Sequence, residues 1–378
     1  MPAFRPVRGF LWLIAAWLLV GCVSAPQPGD FAALDTQAKT LMQRYGVVGM
    51  ALAVIDGGQV VHVAAYGQRD VTKALPLTPD TVMYGASLTK AVFAYWVMQL
   101  CDQGVLGLDT PVTALLPKPV PEYEAYADLA ADPRWRQLTP RMLLNHSAGF
   151  ANFRWLEPDQ KLRFHADPGS RYLYSGEGIN LLQFIIEQRL GLNTGQEMQQ
   201  RIFTPFGMTN TSMQWQPRFA DNLAQGYDIN GAEIAHSRRS RTRAAGSMDT
   251  TIADQARLWA AIARGDGLSA AGRAEMVKPG LAVTSKHQFP TLATDTELRN
   301  AEVGLAAGLG VVTFRDTSGP AWFKGGHDDS TGNMVLCLET GKRCVVMLSN
   351  DVRAERIYPR IAELVLGPTR MPWSWEYH

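Results

Sequence analysis

Ser87 and Lys90 stand three residues apart in "YGASLTK", at the mouth of the apolar run "AVFAYWVMQL". In an α-helix, positions i and i+3 are neighbours, so this hydroxyl and this amine can touch. A serine hydroxyl alone is a weak nucleophile and needs an adjacent base. A lysine held among apolar residues can lose its proton near neutral pH and serve as that base. At the first turn, Ser87 also faces unpaired backbone N–H groups and the positive end of the helix dipole, both of which favour a developing alkoxide. The plainer alternative is a serine N-cap beside a solvated charge. The flanks weigh against it, because a run that is apolar all round belongs to a buried helix.

The elements that must position this pair lie at both ends of the chain. Apolar spacing predicts a helix over "DFAALDTQAKTLMQRYG", ended by Gly46. Two apolar runs around Asp56-Gly57-Gly58 predict a hairpin. The helix carrying the pair should run from about Ser87 to Gln103. From Gly107 to about Arg243 the chain is rich in prolines, loops and helices, with "NLLQFIIEQRLG" the clearest helix. A further helix follows in "AAGSMDTTIADQARLWAAIARGDG". Strand signals then return in "GLAAGLGVVTF", "AWFKGG", "NMVLCLE" and "KRCVVMLSN", before a closing helix in "RAERIYPRIAELVLG". The expected fold class is α/β of the α+β kind. The N-terminal hairpin and the C-terminal strands form one antiparallel sheet, terminal helices cover it, and a helical region at about 91–243 is inserted between. One domain over 31–370 follows, with 371–378 as a tail and a site in the cleft between sheet and helical region.

The composition is that of a globular chain: 378 residues, 46% hydrophobic, net charge +1. So balanced a charge gives no electrostatic case for nucleic acid as a partner. At the start, Arg5 and Arg8 precede an apolar run from Phe10 to Val20, then Gly21 and Cys22. A positive flank, a short apolar stretch and a small-residue exit describe a secretory signal over 1–21, and the run is short for a membrane span. "LVGC" resembles a bacterial lipobox. That implies lipidation of Cys22, a tether over 22–30, and a periplasmic protein anchored to a membrane, the outer one favoured by Val23. A plain cleaved signal is the alternative. Export permits disulfides. A turn at Thr340-Gly341 would set Cys337 opposite Cys344. Such a pair either bridges or, as directly opposed strand cysteines often do because the bridge geometry is demanding, packs as free thiols; the second reading is favoured. Cys101, at the end of an apolar helix, reads as core.

"TVMYGASLTKAVFAYWVMQL" resembles the nucleophile helix of the serine β-lactamase and penicillin-binding-protein superfamily, especially the class C β-lactamase and related esterase branch, in which Ser-x-x-Lys is a signature. The likeness continues in family order through "GVLGLDTPVTALLP", "LTPRMLLNHSAGF", "PGSRYLYSGEGINLL", "IFTPFGMTNTSM" and "AAGSMDTTIADQARL". It implies an acylated nucleophile at Ser87 and an activating amine at Lys90. Tyr174, in "YSG", matches the tyrosine of Tyr-x-Asn, implicated in proton transfer and needing cations to lower its pKa. Lys324, in "KGG", matches the lysine of Lys-Thr-Gly, on a strand bordering the cleft. His327 would then give its N–H to an oxyanion hole shared with the N–H of Ser87. An alternative register places His327 itself in the third-motif position, as in many esterase relatives.

Two positions depart from the pattern. Gly176 stands where the family has asparagine, and Gly325 stands where it has threonine, ahead of Gly326. Both missing groups hold polar parts of β-lactams or peptides. The implied activity is therefore hydrolysis of ester or unusual amide carbonyls through an acyl-Ser87 intermediate, with no cofactor. Runners-up are a β-lactamase and a peptidoglycan D,D-carboxypeptidase or endopeptidase. A cell-wall or partner-binding protein that keeps the fold without catalysis is the alternative of another class. The run Arg238, Arg239, Arg241, Arg243 reads as a solvated loop, with recruitment of acidic substrates, notably by Arg243, as the alternative. His327-Asp328-Asp329 does not suit a metal, because neighbouring strand residues point alternately. His146 and Ser147 are sequence neighbours in a loop. The chain has no Gly-x-Ser-x-Gly elbow.

Overall fold

The computed structural model describes residues 31–377. The segments expected as secretory signal and tether, and Cys22, lie outside the described residues. Helix α1 (Ala32–Tyr45) buries Leu34, Ala38 and Met42, a stripe at helical spacing, and ends at Gly46 in the left-handed conformation. Strands β1 (Gly49–Asp56) and β2 (Gln59–Asp70) form the expected hairpin, turned by Gly57 and Gly58 at φ 58° and 73°. A short β3 (Leu75–Pro76) edges them. Helix α2 (Leu88–Asp102) carries Ser87 at its N-cap. Helix α3 (Gly176–Leu190) starts where the Ser175 hydroxyl accepts from Gly178 N, and α4 (Ile252–Arg264) where Thr251 caps Asp254 N.

The C-terminal part supplies β4 (Leu281–Ala282), β5 (Ala306–Ala307), β6 (Val312–Asp316), β7 (Gly319–Asp328), β8 (Thr331–Leu338) and β9 (Arg343–Ser349). These close the sheet in the order β3-β2-β1-β9-β8-β7-β6-β5-β4, nine strands with antiparallel pairings. Register Met50↔Ser349 zips the N-terminal hairpin to the last strand. Alternation along the strands splits the core in two. Met50, Leu52, Met334, Leu336, Val345 and Met347 face α1 and α5 (Tyr358–Leu366). Ala51, Ala53, Val335, Val346 and Leu348 face α2, α4 and the helical region. The α2 helix is apolar all round because it lies between sheet and helical region, with neighbours on every side.

Two expectations need correction. Cys337 and Cys344, expected as packed thiols, form a disulfide. Their Cα atoms are 4.1 Å apart, the close spacing of a non-hydrogen-bonded antiparallel pair, where side chains come nearest. Residues 371–377, set aside as a tail, pack into the domain. Their last turn, α6 (Trp373–Glu376), buries Trp375 and Glu376. Trp375 Nε1 donates to Ser285 Oγ at 3.2 Å and Tyr377 OH to Asn333 O at 3.2 Å. "WSWEY" is too aromatic for a solvated end, and that was the signal to read.

Candidate active site

Ser87 follows Ala86, whose φ of 44° puts a non-glycine residue in the left-handed region just before the nucleophile position. This tight turn is held by Gly85 N donating to Met248 O at 2.9 Å. It delivers Ser87 to the helix mouth, half-buried, with its side chain in a cleft of about 600 Å³. Lys90 Nζ lies one helical turn on, 2.9 Å from Ser87 Oγ and 2.6 Å from Ala245 O. The lysine is 1% exposed. Burial first, and the nearby charge of Lys324 second, hold its amine well below the usual lysine range. Once the amine is neutral, the same 2.9 Å separation lets the hydroxyl donate into its lone pair.

Tyr174 sits two residues before α3 and lines the cleft together with Ser87. Lys324 Nζ reaches the Tyr174 hydroxyl at 3.4 Å. The structure thus gathers Ser87, Lys90, Tyr174 and Lys324 into one cluster. It differs from the expectation for Tyr174 in one respect. Burial raises the phenol above its ordinary value, and this outweighs the lowering by the nearby Ser87 hydroxyl. The two amines are themselves driven toward neutrality by burial, so they do little to make a phenolate. In this geometry the raised phenol of Tyr174 is suited to donate a proton and the lowered amine of Lys90 to accept one.

Lys324 is carried by β7, beyond the stretch paired with β6, where the strand borders the cleft. Burial lowers its amine to about 8, with Glu376 pulling the other way. Between the two registers left open, the structure puts Lys324 beside Tyr174. His327 lies on the rim, with Nδ1 3.2 Å from Glu355 Oε1. Burial alone would lower the imidazole, but the Glu355 carboxylate and then Glu376 raise it overall. The angle to Glu355 is poor, leaving both atoms without a hydrogen bond, so the pair is chiefly electrostatic. Gly326 is a close-approach glycine. A Cβ there would stand 2.8 Å from Leu88 N and 3.0 Å from Ser87 N.

The other two glycines admit side chains from elsewhere. At Gly176 a Cβ would meet Phe153 Cε1 at 2.2 Å, because the Phe153 ring fills the place of the expected asparagine. Phe153 stacks on Trp155 at 4.0 Å between centroids, making an apolar wall. At Gly325 a Cβ would fall 1.7 Å from Glu376 Oε1. The expected threonine is excluded there by a carboxylate from the C-terminal turn. Arg243 and the arginines before it, Arg238, Arg239 and Arg241, also line the cleft. Arg243 lies over Trp155, and Arg239 over Tyr84, with Asp249 3.5 Å from its guanidinium.

Glu376, Phe153 and His146 are the site-forming residues that sequence reasoning missed. His146 is no nucleophile partner. Its buried ring accepts from Ser175 N through Nδ1 at 3.1 Å and packs 4.5 Å from the Tyr174 ring, which positions the tyrosine. Burial first, then the lysine charges, hold His146 neutral, well below its usual value. Among the described residues, no group of three or more His, Cys, Asp or Glu is arranged to hold a metal.

The profile of the family described as Beta-lactamase matches residues 34–366. The chain is 26% identical over 231 residues to lovastatin esterase of Penicillium rubens, covering 53% of this chain and 57% of that one. It is 30% identical over 207 residues to the D-alanyl-D-alanine-carboxypeptidase/endopeptidase AmpH of Escherichia coli, covering 50% and 53%. The chain thus spans about half the length of the curated relatives it matches. The solved D-alanine carboxypeptidase AmpC from Burkholderia cenocepacia superposes with a TM-score of 0.70 at 19% identity, over 89% of this chain and 99% of that one, a likeness of fold.

Proposed function

The chain belongs to the beta-lactamase family, and we propose that within it this protein is a serine hydrolase that acylates Ser87 with ester or unusual amide carbonyls. The observation that carries the reading is the buried Lys90 amine, held neutral 2.9 Å from Ser87 Oγ at the mouth of an open cleft. Lys90 takes the hydroxyl proton as Ser87 attacks. The N–H groups of Ser87 and His327 hold the oxyanion. Tyr174, beside Ser87 in the cleft and reached by Lys324, passes a proton to the leaving group. Water then releases the acyl group by the reverse path.

Esters are favoured over β-lactams and peptides because Phe153 and Glu376 occupy the space above Gly176 and Gly325 where polar substrate contacts were expected. The relatives' names span both an esterase and a D,D-peptidase. The test is a panel of p-nitrophenyl butyrate, a fluorophosphonate and a fluorescent penicillin on wild type and Ser87→Ala. Ser87-dependent ester turnover with little stable penicillin label is expected. Higher kcat/KM for a penicillin marks a β-lactamase instead, and persistent label a penicillin-binding protein. No Ser87-dependent reaction leaves the binding-protein alternative.

We further propose export and lipid anchoring at Cys22, supported by Arg5, Arg8 and "LVGC" and by a disulfide suited to an oxidising compartment. Radiolabelled palmitate should enter wild type and not Cys22→Ser.

A further inference from the structure

Glu376 is 3% exposed, yet it lines the same cavity as Ser87. It reaches the cavity from the far end of the chain. Gln288 N donates to Trp375 O at 2.8 Å, and the Gln288 side-chain amide donates to Glu376 Oε2. These contacts fix the carboxyl group over the backbone of β7. Its other oxygen, Oε1, lies directly above Gly325, where any Cβ would collide with it. Among the described residues no side chain hydrogen-bonds Oε1. The next residue along the strand, Gly326, touches the backbone of Ser87. The carboxylate therefore sits one residue from the point where β7 meets the nucleophile. Burial raises the Glu376 carboxyl above the ordinary carboxylate value, and Lys324 and then His327 pull it back toward the ionised form. Arg238, Arg239, Arg241 and Arg243 line the same cavity, so acidic and basic side chains both face it.

We propose that Glu376 sets the charge preference of the cleft: a substrate group seated beside Gly325 is a cationic or neutral hydrogen-bond donor, and a carboxylate is rejected there. The proposal deepens the hydrolase reading and rests on it for the turnover measurements. A second acceptor oxygen fixed in a dry wall rewards an ammonium or amide N–H and repels an anion. Substrates with a free carboxylate next to the scissile bond are thereby disfavoured, and amino, choline-like or amidated esters are favoured.

The experiment uses matched thioesters carrying a trimethylammonium, an isosteric tert-butyl or a carboxylate group, first on the thiol half and then on the acyl half. In one of the two series, wild type should prefer the cation over the carboxylate in kcat/KM by about tenfold or more, and Glu376→Gln should shrink that ratio by a similar factor. Glu376→Ala is the second variant should the glutamine protein not fold. Equal rates for cation and carboxylate in both series on wild type overturn the proposal without any variant, and so does a ratio that survives both substitutions. If wild type turns over nothing, the hydrolase reading fails separately. The preference is then read from the thermal shift given by choline, its neutral carbon isostere and a carboxylate of equal size. Stabilisation by choline that Glu376→Gln removes supports the proposal, and indifference to charge refutes it.

Discussion

At the residue scale, the site turns on a lysine that is kept neutral. Unfolded, Lys90 has its ordinary value of 10.5, and folded it lies well below. Between those two values the unfolded chain holds a proton that the folded chain lacks, so this residue makes stability rise with pH. Lys90→Met should therefore raise Tm at neutral pH while abolishing turnover, and its advantage should shrink as the pH approaches 10.5. A Tm series from pH 6 to about 10 checks the sign. Lys90→Arg keeps a cation but removes the base, and should lower kcat by about a hundredfold to ten-thousandfold. Lys324 titrates at about 8, so kcat/KM should fall on the alkaline side as its charge is lost. Arginine does not deprotonate in this range, so Lys324→Arg should move that limb to higher pH even if the rate drops.

At the element scale, strand β7 and the C-terminal turn α6 form one device. Gly325→Thr restores the family's residue but drives a side chain into Glu376, and should lower Tm. Removing the obstacle with Glu376→Ala should rescue the threonine variant, and a double-mutant cycle on Tm measures the coupling. The disulfide between β8 and β9 closes a short loop, so replacing Cys337 and Cys344 by alanine should cost about 2–3 kcal/mol in urea unfolding. Much of this architecture was legible in the sequence. The period of Leu34, Ala38 and Met42, the Gly57-Gly58 turn and the Ser87–Lys90 spacing each encode local geometry, and local geometry survives folding. What was hidden is long-range. Nothing near Gly325 says that Glu376 will lie on it, and nothing near Gly176 announces Phe153. Both glycines were read as losses of contact. In the folded chain they are openings through which distant side chains enter. His146 was set aside because its role appears only when Ser175 and Tyr174 come beside it.

At the scale of the whole molecule, the two ends of the chain hold the site together. Trp375 is 1% exposed, packs between Tyr172 and Phe323, and anchors the turn that presents Glu376. Trp375→Ala should lower unfolding free energy by about 3–5 kcal/mol, measured in urea, and should loosen charge discrimination along with stability. The sheet order also bears on how the protein is made. Because β1 has β9 as its neighbour, the first hairpin keeps an open edge until Arg343–Ser349 has left the ribosome. Helix α2 has no completed sheet to rest on before then, and Glu376 follows later still in the sequence. The site proposed around Ser87 is therefore assembled only once synthesis has passed Glu376, and until then the serine has an incomplete pocket around it.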